Sequence, residues 1–283
     1  MANLVDIIKK TEQFFRQKGI DSPRLDSELL IGSVLNMTRI QLYMNFDIPL
    51  SEAEISKIRT VVRRRANREP IAYILGEKDF YEHTFYVQPG VLCPRPDTET
   101  LVDAALSLIP PDEEFFVADI GSGTGCIGLS LAMQRPKLKL YAVDTSPQAI
   151  QCTKENVKRL NLSSRVGVLQ GSFLSPIPPS RPIDMIVSNP PYIPTREIQT
   201  LAPEVRIHEP ALALDGGDDG LDCYRELIRQ ASNRSPRVLI LEIGMGQAAA
   251  LFSILQGFGF NPIESKPDLA GIERVIVAHR VIR

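Results

Sequence analysis

The stretch Phe115-Phe-Val-Ala-Asp119-Ile-Gly121-Ser-Gly123-Thr-Gly125 reads as a short apolar strand that runs directly into a glycine-rich turn. Three glycines in five residues let the backbone turn tightly and let a ligand approach the main chain closely. A helix through Met133 follows. In open α/β sheets, ligands bind outside the carboxyl ends of the strands, where such turns lie. The spacing is Gly-x-Gly-x-Gly, not the Gly-x-Gly-x-x-Gly of dinucleotide binding. The plainer alternative is a tight turn that holds no ligand.

Outward from this turn, strands and helices alternate. Residues 138–143, 166–169, 185–188 and 238–243 read as further strands, and 147–160 and 221–231 as helices. Segments near 259–264 and 273–279 supply two more strands. Such alternation predicts an α/β fold, a mostly parallel sheet with helices on both faces. Upstream, Phe80, Tyr81, Phe85, Tyr86 and Val87 are strong strand formers followed by Pro89-Gly90, so 76–94 reads as a β-hairpin linker. Pro94-Arg95-Pro96 closes it with restricted backbone geometry.

Residues 1–75 read as a small helical bundle. Leu4, Ile7, Ile8 and Phe15 recur at helical spacing, and Gly19 is a stop. Ser22 can cap the next helix with Pro23 at its first position, and Leu25, Leu29 and Val34 give it an apolar stripe. Ser51 and Glu54 form a capping box ahead of a helix carrying Arg59, Arg63, Arg64, Arg65 and Arg68. Those arginines form either a solvated face or a docking patch for an acidic partner. The expected domains are therefore 1–75, 76–94 and a catalytic domain over 95–283.

The 283 residues are 43% hydrophobic and 23% charged, an ordinary globular balance. No apolar run is long enough for a membrane span. Asp6, Lys9 and Lys10 interrupt the first apolar pattern and argue against a signal peptide. A net charge of -2 disfavours a general grip on nucleic acid. The four cysteines form no Cys-x-x-Cys pair, so neither a metal site nor a disulfide framework is expected, and free thiols suit a reducing cytoplasm.

Two further positions carry chemistry. Asp144 follows a strand in Ala142-Val143-Asp144, where a carboxylate can accept hydrogen bonds from both hydroxyls of a ribose. With the glycine loop it points to an adenosine-containing cofactor, with NAD and S-adenosylmethionine both open. Asn189-Pro190-Pro191-Tyr192 decides between them, because it follows the apolar strand Met185-Ile186-Val187. An amide or exocyclic amino nitrogen is a poor nucleophile, its lone pair delocalised into the π system. The Asn189 side-chain oxygen can accept one N–H and the Pro190 carbonyl the other. Pro191 stiffens the turn and Tyr192 can pack on the planar group. Catalysis is then positioning plus hydrogen bonding.

With these motifs the chain resembles the class I S-adenosylmethionine methyltransferases that act on planar NH2 groups. More narrowly it resembles the HemK/PrmC family, the peptide chain release factor glutamine methyltransferases. That closer likeness rests also on Cys93-Pro-Arg-Pro-Asp-Thr-Glu99, His208-Glu209-Pro210, Ala213-Leu-Asp-Gly-Gly217 and Asp268-Leu-Ala-Gly271. It spans nearly the whole chain and is weakest before residue 70. The resemblance implies a seven-stranded sheet and S-adenosylmethionine as cofactor. It implies a cofactor site at Asp119, Gly121, Ser122, Gly123, Thr124, Gly125, Asp144, Phe173 and Asn189. The substrate glutamine would be held by Asn189, Pro190, Pro191 and Tyr192, with Asn189, Pro190 and Tyr192 catalytic. The implied target is the Gly-Gly-Gln glutamine of class 1 release factors. The expected enzyme is a cytoplasmic monomer with no direct nucleic acid, membrane or metal partner, whose 1–75 domain docks a second region of the substrate protein. Two positions depart from the family pattern. Ser172 stands where Asp is common, and Ile272-Glu273 where Arg-Asp is frequent. Rival functions are glutamine methylation of a ribosomal protein, amino methylation of adenine or cytosine, a nicotinamide dehydrogenase, and a cofactor-binding scaffold without catalysis.

Overall fold

The computed structural model describes residues 3–281, and the outermost ends of the expected 1–75 and 95–283 domains lie outside them. The chain divides into two units. One is the chain up to Glu77 together with Ala202–His208, and the other is Lys78–Leu201 with everything from Glu209 onward.

The first unit is helical: α1 (Leu4–Gln17), α2 (Pro23–Leu35), α3 (Arg39–Met44), α4 (Glu52–Ala66) and α5 (Ile71–Leu75). Both α3 and α4 begin with complete capping boxes, Thr38 with Gln41 and Ser51 with Glu54, which satisfy donors the first turn leaves open. Ser22 does occupy the cap position of α2, but its side chain makes no capping bond. The apolar stripe expected on α2 is shifted. Leu25 is exposed, and the fully buried positions are Leu30 and Ile31. They lie beside Asp26 and Ser27, which are also buried.

The reason is Arg65. This arginine of α4 is buried, and its Nε donates to Asp26 Oδ2 at 2.7 Å. Its Nη1 donates to Glu204 Oε1 at 3.1 Å, so the α2 face turned toward α4 carries a carboxylate rather than a leucine. Arg68 pairs with Glu204 at 2.9 Å and Arg64 with Glu69 at 2.6 Å. The five arginines are therefore not one docking face. Three are held inside the unit, and Arg59 and Arg63 are the exposed pair. The segment 202–208 joins this unit through Glu204 and through His208, whose Nε2 donates to Asn67 O at 3.2 Å. Nothing in the local sequence pattern marks that segment as part of the helical unit.

The second unit opens with the hairpin β1 (Glu77–Phe80) and β2 (His83–Tyr86). Phe80 and Phe85 meet edge to face at 6.1 Å and are buried with Leu101 and Leu129 in the core. Next in the chain are α6 (Glu99–Leu106), β3 (Phe115–Ile120), α7 (Cys126–Gln134), β4 (Leu138–Asp144), α8 (Pro147–Arg159), β5 (Val166–Gln170) and β6 (Met185–Ser188). Then come α9 (Pro203–His208, held in the first unit), α10 (Asp222–Arg234), β7 (Val238–Glu242), α11 (Ala248–Gly257), β8 (Phe260–Pro267) and β9 (Glu273–Arg280). Helices α3, α5, α6, α9 and α11 add to those the sequence pattern predicts.

Seven strands form one sheet in the order β5-β4-β3-β6-β7-β9-β8. The first five run parallel, and β9 is antiparallel to both β7 and β8. Successive residues of each strand serve opposite faces. Val117, Leu140, Val187 and Ile240 pack with α6 and α7. Ala118, Val143, Ile186 and Leu241 pack with α10 and α11. Both faces are covered, so β6 and β7 are buried along their whole length. This is the class I methyltransferase architecture, a mostly parallel seven-stranded sheet with an N-terminal helical region.

Removing one member of a buried ion pair leaves an uncompensated charge and costs about 3–5 kcal/mol. Arg65→Met strands the buried Asp26, while Glu204 keeps Arg68, so it should destabilise the helical unit by about that amount in urea unfolding. Arg59→Met and Arg63→Met should stay within about 0.5 kcal/mol of the parent.

Candidate functional site

The parallel registers bring four strand ends to one edge of the sheet. Ile120 of β3 lies opposite Val143 of β4 and Ser188 of β6, and Ser188 lies opposite Leu241 of β7. One position further along lie the residues at that edge, the first past β3, the last of β4, the first past β6 and the last of β7. These are Gly121, Asp144, Asn189 and Glu242. A cleft of ≈ 340 Å³ opens there. That size is in the range of small-molecule sites. Gly121, Ser122, Gly123, Thr124, Asp144, Phe173, Asn189, Pro190 and Pro191 all line it. Three expected site residues do not, Gly125, Asp119 and Tyr192. Asp119 is fully buried under the glycine turn, and Tyr192 packs into the core face of α10 and α11.

The glycine turn is held by its own backbone. Gly121 N and Ser122 N both donate to Val143 O, at 2.9 and 3.0 Å. All three glycines adopt positive φ, a region costly for other residues. Beneath the turn, Asp119 Oδ2 accepts from Gly128 N at 3.0 Å, while its Oδ1 has no partner. A Cβ on Gly128 would sit 2.9 Å from that carboxylate and 2.8 Å from Leu140, so glycine is required there. Burial pushes the Asp119 carboxyl up to about 7 against the lowering bond from Gly128, with the Asp144 charge adding to the rise.

Asp144 Oδ2 accepts from Gly123 N and Oδ1 from Ser146 N, each at 2.9 Å. These bonds fix the carboxylate at the cleft wall and leave lone pairs for a ligand's hydroxyls. Burial raises its pKa, partly offset by the backbone donors. Opposite, Gly171, Ser172 and Phe173 form another wall. The glycine geometry, the acceptor at Asp144 and the cleft volume all suit an adenosine-containing ligand.

Asn189 lies near two residues that the sequence pattern does not single out, Thr98 and Glu242. Its Nδ2 donates to Thr98 Oγ1 at 3.4 Å. Glu242 is buried at the end of β7, and its Oε2 has no hydrogen-bond partner. Burial pushes its carboxyl up to about 7, and Thr98, Arg274 and Asn189 act in the lowering direction. The Asn189 oxygen is thereby the end left for a ligand. The stretch 93–99 works as a frame around it. Arg95 Nη2 donates to both oxygens of Glu209 at 2.8 and 2.7 Å, and Asp97 meets Arg274 at 3.4 Å. Arg274 also meets Asp268 at 3.2 Å.

The Ala213–Gly217 stretch clamps the chain just past the prolines. Ile193 N donates to Leu214 O at 3.0 Å, and Gly216 N donates to Ile193 O at 2.9 Å. A Cβ on Gly216 would lie 2.9 Å from Pro191 O, and one on Gly220 2.3 Å from Tyr192 O. Gln247 Nε2 donates to Tyr192 O at 2.9 Å. The glycines there allow two backbones to touch, which no side-chain pattern reveals.

No group of three or more His, Cys, Asp or Glu suited to a metal occurs among the described residues. No helix among them is long and apolar enough to cross a membrane.

Residues 6–76 match the family model for the PrmC N-terminal domain, and 82–217 match the methyltransferase small domain. A release factor glutamine methyltransferase of Geobacter sulfurreducens is 41% identical over 95% of this chain and 94% of its own length. One from Moorella thermoacetica is 40% identical over 93% of each chain. One from Nitratidesulfovibrio vulgaris is 35% identical over 99% of this chain and 96% of its own. Among solved structures, the hMettl16 catalytic domain in complex with a 3'UTR hairpin aligns with TM-score 0.59 and 16% identity, over 82% of this chain and 83% of that one. At that identity it shares the fold alone.

A carboxyl whose folded pKa is raised binds protons more tightly in the native state. Between the unfolded value near 4 and the folded value of about 7, stability from Asp119 therefore falls as pH rises. Asp119→Asn removes that slope. Relative to the parent, the variant should gain about 1–3 kcal/mol between pH 5 and pH 8 in urea unfolding. An unchanged difference would mean that Asp119 titrates normally.

Proposed function

The chain belongs to the release factor glutamine methyltransferase family, and we propose that it methylates the side-chain amide of the glutamine in the Gly-Gly-Gln motif of class 1 peptide chain release factors. The observation that carries this is Asn189: it lines the cleft and its carboxamide nitrogen donates to Thr98, which leaves its oxygen to accept from a ligand. A site of that polarity accepts protons from an NH2 group and offers it no competing donor.

S-adenosylmethionine is the cofactor, and when bound it supplies an electrophilic methyl group carried on a sulfonium sulfur. Gly121 to Gly125 would let its polar end approach the main chain, Asp144 would accept from its ribose hydroxyls, and Phe173 would pack on its adenine. Asp119 lies beneath the turn and braces it through Gly128 N. Ser172, in place of the more common Asp, offers a hydroxyl at the cleft wall. On the substrate side, Asn189 Oδ1 accepts one N–H of the glutamine and the Pro190 carbonyl accepts the other. Holding both protons in the amide plane aims the nitrogen lone pair out of it and raises electron density on nitrogen. Pro191 stiffens this arrangement, because its ring fixes φ. Tyr192 supports it from the core side, with its main-chain oxygen held by Gln247. No strong base is required. The nitrogen that has gained a methyl becomes acidic and releases its surplus proton to water.

A glutamine side chain gives little to recognise, so selection among glutamines needs a wider surface. The helical unit supplies one. Ile40, Met44 and Phe46 on and after α3 are 73%, 74% and 55% exposed, an apolar group where a polar surface is usual. This unit docks a second region of the release factor, and linked contacts gain through effective concentration. The four cysteines are free thiols, which fits a cytoplasmic enzyme. It acts as a monomer and without direct contact to nucleic acid.

Incubation with a class 1 release factor and S-adenosylmethionine, followed by peptide mass spectrometry, should place one added methyl on the Gly-Gly-Gln glutamine. Methyl groups found elsewhere, or on nucleic acid, would overturn the assignment. Asn189→Ala should keep the fold and lose about a hundredfold or more in turnover. Asp144→Ala should weaken S-adenosylmethionine by about tenfold to a hundredfold in calorimetry, the loss of charge-assisted hydrogen bonds.

A second prediction concerns docking. The double change Ile40→Glu with Met44→Glu should raise KM for full-length release factor about tenfold. Cofactor affinity and activity on a short Gly-Gly-Gln peptide should hold steady. Equal KM values for parent and variant would leave the exposed α3 face without a role.

A further inference from the structure

We propose that Leu212 is a specificity-determining residue that reads the position before the methyl-accepting glutamine and selects glycine there. The proposal rests on the function assigned above and deepens it.

Leu212 lines the cleft together with Pro190, Pro191, Pro210 and Ala213, yet it is 66% exposed. A side chain that faces both a cavity and water stands at the cavity's mouth. A leucine left that far in water forgoes the stabilisation that burial brings. The core does not use it. The leucine of this stretch that the fold buries is Leu214, 6% exposed.

The backbone holds Leu212 in place. It is the middle residue of a single 3-10 turn, Ala211–Ala213. Ala213 N donates to Pro210 O at 2.9 Å and Leu214 N to Ala211 O at 3.0 Å. Asp215 N donates to the same Ala211 O at 2.9 Å. Ahead of the turn, Glu209 is buried, and both its oxygens accept from Arg95. Behind it, Leu214 O accepts from Ile193 N at 3.0 Å, which ties the turn to the chain just past Pro190 and Pro191. The turn therefore keeps a fixed station beside the prolines.

The length of a glutamine side chain sets where the substrate's main chain lies. Only two methylenes separate the amide from the Cα. With the amide held at Asn189 and Pro190, the main chain stays at the mouth, where Leu212 stands. Three residues of that wall, Pro190, Pro191 and Pro210, have no N–H. The wall thus offers apolar surface and carbonyls rather than main-chain donors. A substrate main chain can press against such a wall only where no Cβ intervenes, which is the close approach that glycine permits. Leu212 supplies a surface that a neighbouring glycine covers and that a larger residue strikes. The glycines of Gly-Gly-Gln lie on the amino-terminal side, so the position read is the one before the glutamine. The amide pocket recognises a glutamine, and the fixed leucine adds a condition on its neighbour.

The test uses the full-length protein with release factors that carry Gly-Gly-Gln or Gly-Ala-Gln, and measures kcat/KM for methyl transfer to the glutamine. The parent should favour Gly-Gly-Gln by about tenfold to a hundredfold, the effect of one methyl group against a fixed apolar wall. Leu212→Ala should reduce that preference to about threefold or less and raise KM for Gly-Gly-Gln. Leu212→Phe should widen the preference beyond that of the parent. The affinity of both variants for S-adenosylmethionine should stay within about twofold, since the change is at the substrate end. A parent that methylates the two substrates equally overturns the proposal. So does a preference left unchanged by both variants, even where both substrates slow together, which is what a merely structural role gives. Weakened cofactor affinity with an unchanged preference assigns Leu212 to the cofactor and overturns it as well. If Leu212→Ala fails to fold, Leu212→Phe decides alone. If the parent leaves the Gly-Gly-Gln glutamine unmethylated, the substrate assignment fails and the proposal with it, whereas an unchanged preference in an active enzyme sinks the proposal alone.

Discussion

The parallel register of β4, β3, β6 and β7 is the constraint on which the site depends. Ile120 beside Val143, Ile120 beside Ser188, and Ser188 beside Leu241 set four strand ends level. The residues one position further, at this edge, are Gly121, Asp144, Asn189 and Glu242. Because side chains alternate, a slip of one residue would turn every side chain to the other face. Val187 and Ile186 serve opposite cores, so each is matched to its own layer. The hydrophobic pattern of β6 thus holds Asn189 where it is. Packing on two faces supplies the accuracy that a loop alone would lack.

Much of this is legible in the sequence alone. Strands 115–120 and 185–188 are bounded by their apolar runs and by the Gly and Asn-Pro signals that end them, and the structure has the same bounds. Asp144 stands out by its place after a strand. The features that stay hidden depend on contacts distant in sequence. Leu25 reads as core, yet it is exposed and its neighbour Asp26 is buried, because Arg65 arrives from α4, thirty-nine positions on. An arginine run on a helix cannot reveal which of its members finds a buried carboxylate. Segment 202–208 belongs to the helical unit through Glu204 and His208, again by pairing rather than by pattern. Glu242 sits at the end of the apolar strand β7, and nothing in the apolar pattern shows that its carboxylate is buried there with one oxygen unpartnered.

The glycines of the second unit divide by purpose. Gly121, Gly123 and Gly125 adopt backbone angles other residues avoid. Gly216 and Gly220 are needed because another main chain lies against them, at Pro191 O and Tyr192 O. The first group shapes the cleft for a ligand. The second presses the substrate loop against the 213–220 stretch, so that Asn189 to Tyr192 is fixed at its far end as well as at its strand. A loop held at both ends loses little further entropy when a substrate binds.

The site is built from acceptors, and that choice follows from the nucleophile. A carboxamide nitrogen gains reactivity when both its protons are held by oxygen, not when a base removes one in advance. None of the three histidines, His83, His208 and His279, lines the cleft. Instead three carboxyls lie at or under the same sheet edge: Asp119, Asp144 and Glu242, each with its pKa raised chiefly by burial. Burying carboxylates costs stability. They persist together where a cationic sulfonium donor and a nitrogen gaining positive charge would both be stabilised by nearby negative charge. Asp144 lines the cleft beside the glycine turn with Asp119 beneath that turn, and Glu242 is buried at the end of β7 near Asn189. Negative charge thereby lies near both partners of the transfer.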